Sequence, residues 1–307
     1  MNKIKPGLYP PMITIFKKDE SLDEEAIREH VDWLIENEVH GIIPTGSTGE
    51  FIAMKVDEIK RVIEIVVDQA NGRVPVVAGT HHHSTKITIE LSRFAQDVGA
   101  DGVMIVPPYY LKPTLREIYA HYKEISENID IPIMLYNNPW FSGVDIPPKF
   151  IAKLAEENII WAVKEAHGDP SRIQELKYLA GDKLTIFYGH DVNVIGGLAV
   201  GAEGWVCGLA NAAPRELRRL FDLIVIEKDL EKARQLWYKL YPWLRINWIN
   251  EVEPGCRPYW PQIIKYTLQL RGRKAGWPRK PLLPLTDEEK EIVRKIAMEA
   301  GLIKQKF

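Results

Sequence analysis

Eight short apolar runs, each followed by a longer amphipathic stretch, restrict this chain to a small set of folds. They cover residues 12–16 (MITIF), 41–45 (GIIPT), 74–80 (VPVVAGT), 102–107 (GVMIVP), 131–137 (IPIMLYN), 159–165 (IIWAVKE), 184–189 (LTIFYG) and 204–210 (GWVCGLA). Continuous apolar, β-branched runs suit strands buried on both faces, the condition of a parallel sheet covered by helices. The stretches between them start as helices do. Ser21-Leu22-Asp23-Glu24 precedes Ile27, Val31, Leu34 and Ile35, which share one helix face. Pro113-Thr114 opens 115–125, Asp169-Pro170-Ser171 opens 173–179, and Pro214 heads 215–226, where its missing N–H costs nothing. Eight strand–helix units predict an α/β fold, a (β/α)8 barrel over residues 1–228. A doubly wound open sheet is the rival. It needs a phosphate-binding glycine loop after its first strand, and Lys17-Lys18-Asp19 stands there instead. Beyond the eighth run the patterns at 230–244, 259–270 and 287–302 are helical, with the proline-rich loop 272–284 between the last two. Residues 229–307 therefore read as a helical extension packed on the barrel.

Composition excludes several function classes. Forty Lys and Arg against 42 Asp and Glu leave a net charge of −2, without the basic field that nucleic-acid binding requires. The two cysteines, Cys207 and Cys256, form neither a disulfide framework nor a zinc spacing. No uncharged apolar run approaches the roughly 18 residues of a membrane span. The start, MNKIKPGLYPPMITIF, lacks the apolar core of a secretory signal. A cytoplasmic protein is expected, with no nucleic-acid or membrane partner.

In a barrel, chemistry gathers at the C-terminal ends of the strands. Lys164 lies inside the apolar run WAVKEA. Burial disfavours a lysine's charged form and leaves a free amine that can attack a carbonyl; pairing with Glu165 is the other reading. The loop Gly46-Ser47-Thr48-Gly49 follows the second run and offers two hydroxyls and open backbone N–H groups, suited to a carboxylate or equally to a tight turn. Tyr136 ends the fifth run, beside the lysine strand, where a phenol can relay protons or simply cap the core.

Four motifs in register, GSTGE (46–50), PPYY (107–110), YNNP (136–139) and VKEA (163–166), resemble the dihydrodipicolinate synthase / N-acetylneuraminate lyase family. The resemblance runs from about residue 7 to 285, where GWPRKPLLPL is also family-like. It implies a (β/α)8 barrel with a C-terminal helical extension, assembled as a homotetramer, a dimer of dimers. It implies a lysine imine with pyruvate or another 2-keto acid, and no cofactor or metal. Residue by residue, Lys164 matches the imine-forming lysine and Tyr136 the proton-relay tyrosine. Tyr110 matches a tyrosine lent by a neighbouring subunit. Ser47 and Thr48 match the hydroxyl pair that binds the keto-acid carboxylate, next to Gly49, while Gly189 and Val206 fall where backbone groups line the site.

One position departs from the synthases. Their YNxP motif is followed, two residues on, by an arginine that grips the aldehyde substrate's carboxylate, and here Phe141 stands there. A phenyl ring cannot form the bidentate pair. The expected function is therefore a pyruvate-dependent aldolase acting on a 2-keto-3-deoxy sugar acid. The alternatives are 4-hydroxy-tetrahydrodipicolinate synthase, a keto-acid dehydratase or deaminase using the same imine, and a non-catalytic keto-acid-binding paralogue. His81, His82 and His83, with His190 and Asp191, read as contacts to a hydroxylated substrate or as loop packing, and less readily as metal ligands. Trp237, Trp243, Trp248 and Trp260 read as packing.

Overall fold

The computed structural model describes residues 4–246 and 260–304. Seven parallel strands form one sheet: β1 (Leu8–Tyr9), β2 (Val77–Gly79), β3 (Gly102–Ile105), β4 (Ile133–Asn137), β5 (Ala162–Glu165), β6 (Thr185–Tyr188) and β7 (Gly204–Val206). Their order is β1-β7-β6-β5-β4-β3-β2. Helices α1 (Glu24–Glu36), α2 (Val56–Ala70), α3 (Thr85–Asp97), α4 (Leu115–Ser126), α5 (Pro139–Ser142), α6 (Pro148–Glu156), α7 (Ser171–Ala180), α8 (Val194–Ala199) and α9 (Pro214–Phe221) alternate with them.

Two of the eight expected strands differ. The first is Leu8–Tyr9 and not 12–16, because Pro10 and Pro11 remove the N–H groups that would continue the ladder. The run at 41–45 makes no strand of its own. It lies between β1 and β2 and bonds to both, with Ile43 N–H to Pro10 O at 3.0 Å, Met12 N–H to Ile43 O at 2.7 Å and Val77 N–H to Ile42 O at 3.0 Å. Pro44 and Pro75 punctuate this stave as Pro10 and Pro11 do the first. The curled sheet so closed has the eight staves of a (β/α)8 barrel.

Strand pleating divides the core into two shells. Tyr9, Ile43, Val77, Met104, Met134, Ala162, Phe187 and Val206 point inward and pack together. Leu8, Ile42, Ala78, Val103, Leu135, Val163, Ile186 and Trp205 point outward against the helices. Each fully buried aliphatic side chain contributes about 1.5–3 kcal/mol by area. The helix starts follow the sequence: Asp23 caps α1 by accepting Ala26 N–H at 3.2 Å, and Thr114 with Glu117 forms a capping box on α4.

After β7 come α10 (Leu230–Leu244), α11 (Trp260–Leu270) and α12 (Asp287–Glu299), with no strand among the described residues. The expected Trp248 and Cys256 lie outside the described residues.

Asn211 joins the two ends of the barrel. Its Oδ1 accepts Ile13 N–H at 3.1 Å and lies 2.9 Å from His30 Nε2. Its Nδ2 donates to Pro11 O at 2.9 Å and Gly208 O at 2.8 Å. Burial pushes His30 down to about 4, so the neutral ring donates through Nε2. One amide thus replaces the ladder bonds that the prolines forbid. Asn211→Ala strands several buried groups at once, each costing about 1–3 kcal/mol. We expect urea unfolding to show a loss of at least about 3 kcal/mol for this variant; a loss below about 1 kcal/mol would show that the barrel closes without the amide.

Candidate active site

The pleat of β5 decides which charged side chain enters the barrel. Lys164 points in and Glu165 points out. Glu165 is fully buried, where Asn137 Nδ2 donates to both its oxygens at 3.0 Å, His167 N–H donates at 2.9 Å and Arg172 Nε lies at 3.3 Å. Burial pushes its carboxyl above the usual range, and Arg172 pulls against that. Lys164 therefore does not pair with its sequence neighbour. It is 6 % exposed, and its Nζ sits 3.7 Å from the centroid of the Tyr136 ring. No hydrogen bond or ion pair to that Nζ occurs among the described residues.

Tyr136 stands opposite Lys164 in the β4–β5 register. Its hydroxyl accepts a bond from Asn138 Nδ2 at 2.8 Å, which fixes the phenol over the cavity floor. Gly189 completes the approach from β6. A Cβ there would stand 2.9 Å from Ala166 Cβ and 3.1 Å from Lys164 Cε, so only glycine leaves the lysine its position.

A cavity of about 320 Å³ opens above Lys164, and Ser47, Thr48, Tyr136, Phe141, Gly189 and Val206 line it with the lysine. Six expected site residues and Lys164 thus meet in one place. Gly49 does not line it. A Cβ there would meet Met12 O at 2.8 Å, so this glycine lets the 46–50 turn press against the chain after β1. Tyr110 also stays out: it is 88 % exposed and projects from the 107–112 loop at φ 75°. A single chain does not bring it to Lys164.

The sequence did not mark Pro11, Asn138, Trp140, Ala166, Gly208 or Trp260 as cavity residues, and all six line it. Trp260, read as packing, stands edge-on to Phe141 with centroids 5.3 Å apart. The mouth is therefore aromatic, and Lys164 is the one cation among the described lining residues. Asp191 lines the cavity as well, 9 % exposed, with Oδ1 unpartnered. Burial pushes its carboxyl up to about 6, while the Cys207 thiol bonded to it and the Lys164 charge pull it down. The sequence left it between a substrate contact and loop packing, and the structure places it in the cavity lining.

The three histidines are loop packing. His81 is buried against Phe51, with Nδ1 3.1 Å from Met104 O, and burial pushes it down to about 4. His82 accepts Ser84 N–H at 3.0 Å, and His83 stacks on Tyr109 at 4.0 Å. None lines the cavity: β2 ends at Gly79, and the chain bends at His83–Ser84 into α3. His190 accepts Asn193 N–H at 3.4 Å. No group of three or more His, Cys, Asp or Glu side chains spaced for a metal ion occurs among the described residues. No described helix is long and apolar enough to cross a membrane.

Comparison with known proteins places the chain in a family. The sequence profile described as the Dihydrodipicolinate synthetase family matches residues 5–300. The 4-hydroxy-tetrahydrodipicolinate synthase of Methanocaldococcus jannaschii is 40% identical over 97% of this chain and 99% of its own. That of Pelobacter propionicus is 41% identical with the same coverage. Among solved structures, the Thermotoga maritima dihydrodipicolinate synthase is 30% identical and superposes with a TM-score of 0.89, covering 98% of this chain and 100% of that one. The Acinetobacter baumannii enzyme, solved with pyruvate, is 32% identical with a TM-score of 0.88 and the same coverage. These matches overturn the sugar-acid aldolase expected from Phe141, since relatives aligned along nearly the whole chain carry the synthase name. A chain that shares this barrel and full-length similarity with those enzymes belongs to the dihydrodipicolinate synthetase family of class I, metal-independent lyases.

Proposed function

We propose that this protein is a 4-hydroxy-tetrahydrodipicolinate synthase that condenses pyruvate, held as an imine on Lys164, with aspartate semialdehyde. The synthase names of relatives aligned along nearly the whole chain support this reaction over other imine chemistry, and the imine rests on the buried Lys164 amine, 3.7 Å from the Tyr136 ring, in a cavity that Ser47 and Thr48 also line. Lys164 Nζ attacks the ketone carbon of pyruvate, and the carbinolamine loses its oxygen as water. Tyr136, its hydroxyl oriented by Asn138, carries protons to and from that oxygen. Ser47 and Thr48 hold the carboxylate, with the Gly189 and Val206 backbone beside it. The protonated imine withdraws electrons, the methyl group loses a proton, and the resulting enamine carbon forms the new bond to the aldehyde carbon. Asp191, facing the same cavity, balances the iminium charge when ionised.

Tyr110 joins the relay only from a second copy of the chain, so we read the active form as a cytoplasmic homotetramer, a dimer of dimers. Residues 1–228 carry the site and 229–307 serve as its helical extension. With Phe141 at the mouth, the aldehyde's carboxylate lacks a guanidinium partner from that position.

Borohydride reduction in the presence of pyruvate is expected to leave a covalent adduct on Lys164, read by mass spectrometry of peptides, and none in Lys164→Ala. Pyruvate and aspartate semialdehyde together are expected to disappear in equal amounts; an adduct without loss of the aldehyde would move the protein off the synthase reaction. Phe141→Arg is expected to lower KM for aspartate semialdehyde about tenfold or more, the worth of one charged hydrogen-bonded pair, with KM for pyruvate unchanged. An unchanged aldehyde KM would mean that another group already grips that carboxylate.

Asp191 gives a pH signature. Its folded carboxyl titrates near 6 against an ordinary 3.8, so the folded chain keeps this proton where the unfolded chain has lost it. The cost of burying the anion is absent below both values, grows between them and is complete above 6. Asp191→Asn is therefore expected to stabilise the fold at pH 7.5, by up to about 3 kcal/mol, and to change nothing at pH 3.5. Equal effects at both values would contradict the raised titration.

A further inference from the structure

The turn that carries Ser47 and Thr48 is held from outside the barrel. Thr45 and Glu50 bracket it, and both have positive φ, 55° and 59°. Neither is glycine, so their surroundings must impose the left-handed conformation. Thr45 is pinned within the barrel, its Oγ1 donating to Gly79 O at 2.7 Å. Glu50 is pinned by the C-terminal part of the chain. Its Oε1 takes a bond from Lys265 Nζ at 2.5 Å, and its Oε2 takes the Arg279 N–H at 2.8 Å.

Lys265 lies on α11 and touches neither the cavity nor its lining hydroxyls. It and Glu50 are each 2 % exposed. Its Nζ also donates to Trp277 O at 2.8 Å and lies 4.9 Å from the centroid of the Phe16 ring. The terminal nitrogens of Arg279 are engaged elsewhere, forked on Glu58 at 2.8 Å to each oxygen. An ion pair this deeply buried adds little net stability over an apolar pair of the same shape, while it strongly constrains geometry. The geometry constrained here is that of the turn: Glu50 N–H closes it on Ser47 O at 3.1 Å. Ile264, one residue before Lys265, packs beside Gly208, which in turn backs Thr48. The helix therefore abuts the turn at both hydroxyl-bearing residues' supports.

We propose that Lys265 is a positioning residue for the keto acid: through Glu50 it holds the left-handed turn that aims Ser47 and Thr48 at the substrate carboxylate. This rests on the reading of those hydroxyls given above. It predicts an effect on keto-acid affinity that leaves the imine chemistry at saturation intact.

The test uses the full-length enzyme and Lys265→Met, with pyruvate as the probe. Half-saturation for borohydride trapping at Lys164 and KM for pyruvate should rise about tenfold or more, while kcat stays within about threefold and KM for the aldehyde is unchanged. Because Lys265→Met strands a buried carboxylate, Glu50→Gln/Lys265→Met is made beside it; the neutral amide still accepts the Arg279 N–H and avoids the lone charge. It should fold and show the same raised KM, and Lys265→Arg should restore part of the affinity. A native KM in either folded methionine variant, or a fall in kcat with KM unchanged, overturns the proposal. Absence of any adduct in the unaltered enzyme would instead overturn the imine reading, and this proposal with it.

Discussion

The parallel register between β4 and β5 is the constraint on which the site depends. It sets Tyr136 beside Lys164 and Asn137 beside Glu165. Because side chains alternate along a strand, one pair faces into the barrel and the other faces the helices. A slip of one residue would put a carboxylate where the amine belongs and leave the lysine among aliphatic side chains. Both outward partners are committed to preventing it: Asn137 and Arg172 satisfy the buried Glu165 carboxylate, and neither could do so from another register. Among the described residues the amine has no acceptor, because its neighbour's carboxylate is occupied on the other side of the sheet.

The barrel is closed by weaker means than a complete ladder. Prolines 10, 11, 44 and 75 interrupt backbone pairing along the first three staves, where isolated bridges replace a long ladder. The loss is offset by a few backbone bonds and by the Asn211 amide, which reaches both the segment after β1 and the segment after β7. Pro11 and Gly208 both line the cavity beside this closure.

That turn and the C-terminal helices form one unit mechanically. A left-handed conformation at a residue other than glycine costs roughly 1–2 kcal/mol, and here two such residues bracket the hydroxyl pair. The bonds that hold them come from β2 on one side and from α11 and the 277–279 segment on the other. The helices after the barrel thus bear on the candidate site, and Trp260 places one of them at the cavity mouth beside Phe141.

Much of this could be read from the chain itself. Period and punctuation gave away six strands, most of the helix starts and the C-terminal helices, because burial on both faces leaves an apolar run whatever its neighbours are. The lysine was legible because a charge inside such a run has few structural uses. The first two staves were misread because local apolarity does not report which N–H groups a proline has removed from a ladder. The histidines were placed by an extended alternation, but the strand before them ends at Gly79. The substrate was misjudged from one aromatic side chain, since a mouth residue says less about a reaction than the whole lining does. The sequence by itself determined the alternation of strand and helix, the buried amine and the hydroxyl-bearing turn, all set by neighbours within a few residues. Only the tertiary structure decided that Lys164 lies under Tyr136, that Trp260 and Asp191 reach the same cavity, and that Lys265 grips Glu50. Those pairings join residues up to 215 positions apart, and packing in three dimensions, not local pattern, selects them.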